Sequence, residues 1–159
     1  MHYNNHEVNY MITVTFYGLD QFVVGNLSRE LTPLVAKLYE VSEDDVMFIA
    51  PEAMVFHKGT EQTSWNILIH VNAPKKVSVL QDQMAQLMLH GIGEVAIHVT
   101  VEFYYYSQDD RYQKINDNYP RFISDENLVD VESEYNEDLE EGEEEDQIYT
   151  GDIFEGLNK

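Results

Sequence analysis

Met11-Ile-Thr-Val-Thr-Phe-Tyr17 and Trp65-Asn-Ile-Leu-Ile-His-Val71 each alternate side chains over one strand length, and both are rich in β-branched and aromatic residues. Each predicts a strand. Behind each comes an amphipathic segment, and behind that a further apolar run. The first runs to Val46-Met-Phe-Ile49, the second to Val95-Ala-Ile-His-Val-Thr-Val-Glu-Phe103. The chain between residues 11 and 106 is therefore one β-α-β unit written twice. The fold class it predicts is α+β: a two-layer sandwich of a four-stranded sheet with two helices on one face.

The helices are legible from their stripes. Leu27, Leu31, Leu34, Val35 and Leu38 fall on one face at helical spacing. Ser28 is the expected cap, Gly25-Asn26 the expected break before it, and Pro33 a kink or an early-turn residue. The second stripe is Val77, Leu80, Met84, Leu87 and Met88, starting after Ala73-Pro74 and stopped by Gly91 and Gly93.

Strand alternation sorts the side chains into two faces. Ile12, Val14 and Phe16, then Trp65, Ile67, Ile69 and Val71, then Val95, Ile97, Val99, Val101 and Phe103 form the side for the helices. The other side carries Thr13, Thr15, Tyr17, Asn66, Leu68, His70, Ala96, His98, Thr100 and Glu102. A freely solvated face would carry more Lys and Glu. This one is neutral and mildly polar, and is read as an oligomer face (Thr13, Thr15, Asn66, His70, His98 and Thr100), the alternative being an ordinary solvated face of Thr and His. Beyond Phe103, Tyr104-Tyr-Tyr106 and Ser107-Gln-Asp-Asp110 suggest a short hairpin or an arm leaving the sheet edge.

Composition divides the chain further. Net charge is −21, from 30 acids and 9 bases, which opposes duplex nucleic acid and anionic membranes alike. Residues 121–159 hold 15 of the acids against Arg121 and Lys159. Packing cannot offset the chain entropy of so acidic a segment, so it is expected to be a disordered tail. The predicted division is a polar extension over 1–10, a folded domain over 11–120 and the tail over 121–159. The tail has three readings: a solvated, solubilising extension, a tether for a basic protein partner, or a recognition segment in which Ile148, Tyr149, Ile153 and Phe154, which interrupt the acids near the end, dock into a partner's groove. There is no cysteine and no apolar run of membrane length, and the first ten residues are polar. The expected location is cytoplasmic.

The doubled unit resembles the tautomerase superfamily, which includes 4-oxalocrotonate tautomerase and macrophage migration inhibitory factor, and within it an uncharacterised bacterial branch. The matching stretches are Met11-Ile-Thr-Val-Thr-Phe, the helix around Leu31 to Leu38, the Phe56-His-Lys-Gly59 turn, and Val95-Ala-Ile-His-Val leading into the tyrosines. The likeness covers about residues 11 to 115 and rests on element order and apolar pattern. It implies a homotrimer whose subunits pack their uncovered sheet faces around a three-fold axis. It also implies an N-terminal proline whose secondary amine moves protons. The corresponding position here is Ile12, preceded by Met11. Isoleucine has no such amine, and a peptide nitrogen has no usable basicity. The resemblance thus implies the shape without the central catalytic group.

Other chemistry is weakly signalled. Six histidines are present, but the two on strands, His70 and His98, have no H-x-H or H-x-x-x-H spacing near them, so neither a metal nor another cofactor is expected. No phosphate-binding glycine loop or nucleophile elbow occurs. The pocket candidates are His57, on the turn before the third strand, together with Glu102 and Tyr104. The expected function is a non-catalytic, self-associating domain whose acidic tail binds or tunes a partner. The alternatives are an isomerase of a small enol or keto acid that uses His57 or Glu102 in place of proline, and a plain structural subunit.

Overall fold

The computed structural model describes residues 10–124, and the chain divides after Phe122 into two units. The first unit holds all the regular structure among the described residues. Strand β1 (Ile12–Tyr17) leads into helix α1 (Gln21–Tyr39), and a single 3-10 turn precedes β2 (Val46–Ile49). A two-residue-per-arm hairpin follows, β3 (Phe56–His57) and β4 (Thr60–Glu61). The cycle then repeats as β5 (Asn66–Pro74), a 3-10 segment over Lys75–Leu80, α2 (Gln81–Ile92) and β6 (His98–Tyr106).

The main sheet has the order β2-β1-β5-β6. β1 and β2 are parallel, β5 and β6 are parallel, and the two halves join antiparallel through β1 and β5. This is the doubled unit predicted from the pattern, with both helices on one face and an α+β layering. Ile12, Val14, Phe16, Ile67, Ile69 and Val71 point into that layer and are buried. Each such side chain contributes about 1.5–3 kcal/mol through the apolar surface it removes from water. Phe16, completely buried and stacked on Phe48 at 5.9 Å, is the largest of them. Truncating it to alanine would cost about 3–5 kcal/mol.

Several boundaries depart from the sequence reading. Helix α1 begins at Gln21, well before Ser28, because Asp20 caps it by accepting from the Phe22 amide at 2.8 Å. Burial of Leu19, Val24 and Leu27 then carries the helix through Gly25-Asn26. Ser28 lies inside it, its hydroxyl bonded to the Gly25 carbonyl. Pro33 also lies inside, on the exposed side. Leu34, assigned to the buried stripe, is 48% exposed. At the start of the second helix, Val77 and Leu80 fall in the 3-10 segment rather than in α2. Gly91 lies within α2, and the stop is Gly93, at φ 54.

The last strand is shifted toward the C-terminus. It pairs from Asn66–His98 to Pro74–Tyr106, so the three tyrosines continue the sheet instead of leaving it as an arm. Trp65, Val95 and Ile97, assigned to the helix side, precede this pairing and are exposed. Ala96, assigned to the other side, is buried. Gly18, at φ 81, makes the tight exit from β1; a Cβ there would stand 3.0 Å from the Asn66 carbonyl oxygen.

Candidate functional site

Two places in the first unit gather polar side chains: the sheet face that the helices leave uncovered, and a cleft where β5 and β6 end. Register builds the first. Thr15 lies beside Ile49 on β2 and His70 on β5, and His70 lies beside Glu102 on β6. One step along, Met47, Thr13, Asn72 and Tyr104 form the next row. Leu68 pairs with Tyr17 and Thr100, and Asn66 with His98.

The centre of this face is a ring cluster. The His70 imidazole is 4.9 Å from the Tyr17 ring and 4.8 Å from the Tyr104 ring. Its Nε2 is buried and makes no hydrogen bond. The Glu102 Oε2 lies 3.4 Å from it, but that oxygen is engaged elsewhere, accepting from the Tyr104 hydroxyl at 2.9 Å. This bond holds the Tyr104 phenol above its ordinary range, because it favours the protonated form beside a carboxylate. Thr15 is buried on the same face, and the outer row exposes Met47 and Ile49.

The residues proposed from sequence therefore separate. Thr13, Thr15, Asn66, His70, His98 and Thr100 share the uncovered face, and Glu102 and Tyr104 join them there. His57 stands on the β3–β4 hairpin, exposed, next to a turn in which Lys58 and Gly59 both take positive φ. Among the described residues, no hydrogen bond, ion pair or ring contact joins His57 to Glu102 or Tyr104. Glu61, opposite Phe56 on the hairpin, is occupied in accepting from the Thr63 amide and hydroxyl. Ile12 is fully buried within β1, in register with Val46. The carbonyl of Met11 before it accepts the Tyr106 hydroxyl at 2.7 Å. Ile148, Tyr149, Ile153 and Phe154 lie outside the described residues. Among those residues, no three His, Asp or Glu side chains converge as a metal set, and no helix is long and apolar enough to cross a membrane.

The second place escaped the sequence reading. Lys75 and Lys76 follow the last residue of β5, and Tyr106, Ser107, Gln108 and Asp109 follow the parallel strand to the same end of the sheet. Between them lies a cavity of about 370 Å³. Lys75-Lys76 is the chain's single pair of adjacent bases, and in so acidic a sequence that was the available signal. Its partners could not be read without the strand length. A broader groove of about 620 Å³ runs between the helices, lined by Leu34, Leu38 and Leu87 with Lys37 and His90.

No protein-family model matches the chain, and no curated protein matches it in sequence. Solved structures do match. A domain of unknown function, DUF1904, from Sebaldella termitidis aligns at 20% identity and TM-score 0.59 over 65% of this chain and 95% of that one. A protein of unknown function from Vibrio cholerae aligns at 18% identity and TM-score 0.58 over 71% and 92%. A macrophage migration inhibitory factor-like protein from Entamoeba histolytica aligns at 6% identity and TM-score 0.52 over 66% and 95%. At these identities the likeness is one of fold, which this chain shares with those three proteins.

Proposed function

We propose that this chain is a non-catalytic, self-associating domain of tautomerase fold, assembling as a cytoplasmic homotrimer through its uncovered sheet face. The observation that carries the reading is that face itself. A sheet layer stabilised by helices on one side only leaves the other side to water or to another subunit. Here that side is poor in charge: Glu102 is its carboxylate, and it is tied to Tyr104. Thr15 is buried already, the His70 Nε2 lacks a hydrogen-bonding partner, and Met47 and Ile49 stand at the rim. Such a surface loses little on dehydration, and a partner that supplied an acceptor to His70 would gain a hydrogen bond.

The absence of catalysis rests on Ile12. Its nitrogen is a peptide amide in a paired strand, and its side chain is sealed in the core. Neither can accept and return a proton near neutrality. The acidic segment over 121–159 is taken as the part that binds or tunes a basic protein, with Ile148, Tyr149, Ile153 and Phe154 as its apolar anchors.

Sedimentation velocity of the full chain tests the assembly: three copies are expected, and a single copy at micromolar concentration would end the proposal. A panel of 2-oxo acids tests the chemistry. No turnover is expected; turnover that disappears in His57→Ala would replace this reading with an isomerase.

A further inference from the structure

His70 lies on β5, between β1 and β6, on the sheet face that the helices leave uncovered. From β1, the Tyr17 ring meets the imidazole edge to face at 4.9 Å, and Thr15, its register partner, is neutral. From β6, the Tyr104 ring stands at 4.8 Å and Glu102 brings Oε2 to 3.4 Å from Nε2. Leu68 and Asn72, the neighbours of His70 on the same side of β5, carry no charge. The other histidine of the face, His98, lies four residues before Glu102, roughly 13 Å away along the strand.

The Nε2 atom is buried and bonds nothing, because Glu102 Oε2 already accepts the Tyr104 hydroxyl at 2.9 Å. While the imidazole is neutral, two neutral donors compete for one oxygen and the phenol holds it. An imidazolium adds Coulomb attraction that the phenol lacks. Closing the gap to bonding distance takes a shift of roughly half an ångström. Tyr104, 48% exposed, can then give its hydroxyl to water. Of the groups in this cluster, only an imidazole ordinarily changes charge between pH 5 and 8.

We propose that His70 is a proton switch for self-association: once protonated it draws Glu102 away from Tyr104, cancels the carboxylate charge of the face, and tightens assembly as pH falls. The switch rests on the reading of this face as the subunit contact. Without the proton, each copy brings one negative charge to that contact, and like charges gathered there repel. With it, each copy brings a neutral pair. The assembled state therefore holds the proton more tightly than the single chain, and assembly takes up protons. Each copy that takes up one proton raises the association constant by up to about tenfold per pH unit lost.

Sedimentation velocity of the full chain, over a dilution series at several pH values between roughly pH 8 and pH 6, tests this. Acid also reduces the overall negative charge of the chain, which is −21 near neutrality, so the comparison is with variants that keep the other titrating groups. Half-assembly of wild type should move to lower concentration by about tenfold more than that of His70→Gln. Glu102→Gln should reverse the trend relative to His70→Gln, because acid then leaves an unpaired imidazolium on the contact. His98→Gln should follow wild type. All three variants should keep the wild-type far-ultraviolet circular dichroism. Wild type and His70→Gln moving together, or Glu102→Gln keeping the wild-type trend, would overturn the switch and leave the subunit contact standing. Single copies at every pH would overturn the contact, and the switch with it.

Discussion

Glu102 has two suitors on the uncovered sheet face and bonds only one. Its Oε2 accepts the Tyr104 hydroxyl at 2.9 Å, while the His70 Nε2, buried and without a hydrogen bond, lies 3.4 Å away. The strand register sets this competition, placing His70 directly across from Glu102 and Tyr104 two residues further along β6. The bond is the largest cause of the raised Tyr104 phenol. Glu102→Gln removes the charge that opposes phenolate formation, so Tyr104 should ionise at lower pH in the variant. Ultraviolet difference titration of wild type and Glu102→Gln, each against the matching Tyr104→Phe chain, isolates that one phenol. An unchanged titration would mean that the bond is not made in solution.

The uncovered face predicts a substitution that separates assembly from folding. Thr100 lies on that face, in register with Leu68, and is exposed in the single chain. Thr100→Lys should leave the isolated fold intact, within about 0.5 kcal/mol, because an exposed strand position tolerates a lysine. In an assembled face it buries an unpaired charge, a cost of several kcal/mol. Sedimentation should therefore show single copies with an unchanged far-ultraviolet spectrum. Retention of the wild-type assembly would place the contact elsewhere.

Gly91 tells how closely the two helices approach. A Cβ on it would stand 2.7 Å from one terminal methyl of Leu31 and 3.2 Å from the other. Alanine gains about 1 kcal/mol in helix propensity over glycine. Overpacking costs about 1–3 kcal/mol, and Leu31, 3% exposed, has little room to yield. Gly91→Ala should therefore destabilise by about 1 kcal/mol in denaturant unfolding. With Leu31→Ala already present the clash is gone, and the same change should stabilise. Simple additivity of the two would rule out the contact.

The sequence carried the layers but not their offsets. Alternation in Ile12–Phe16 and Ile67–Val71 identified the strands and the face the helices cover, because period-two burial leaves little choice of face. It could not show that β6 pairs from His98 rather than from Val95, since Val95, Ile97 and Val99 continue the same alternation. Only pairing with Asn66 excludes the first two. That shift also decides the chemistry: it sets Glu102 against His70 and brings Ser107–Asp109 level with Lys75. The start of α1 was lost for another reason. Gly25-Asn26 has poor helix propensity, and tertiary burial of Leu19 and Val24 together with the Asp20 cap outweighs it. Of the candidate residues, Thr13, Thr15, Asn66, His70, His98, Thr100 and Glu102 were assigned to one face by alternation, whereas Tyr104 was assigned to an arm and His57, on a hairpin, had no periodicity to place it.

Tyr39 closes α1 with a phenol hydroxyl that is buried and has no hydrogen-bonding partner among the described residues. The neighbouring Tyr105 does not serve it, since its own hydroxyl is given to Gln81 Oε1 at 2.8 Å. An unpaired buried hydroxyl costs about 1–3 kcal/mol, and phenylalanine keeps the ring that fills the site. Tyr39→Phe should therefore raise stability at neutral pH, by about 1 kcal/mol. Burial also pushes the Tyr39 phenol far above its ordinary 10.0, with Tyr105 adding to the effect. Below pH 10 the folded and unfolded chains both hold this proton, so the group contributes no pH dependence. Above it the unfolded chain releases the proton and the folded chain does not, so stability falls as pH rises. The slope from this one group approaches about 1.4 kcal/mol per pH unit. Tyr39→Phe lacks that term, so its advantage over wild type should widen between roughly pH 9 and pH 11. Urea unfolding at both pH values measures the gap. A constant gap, or a variant less stable than wild type at neutrality, would show that the hydroxyl is satisfied in solution.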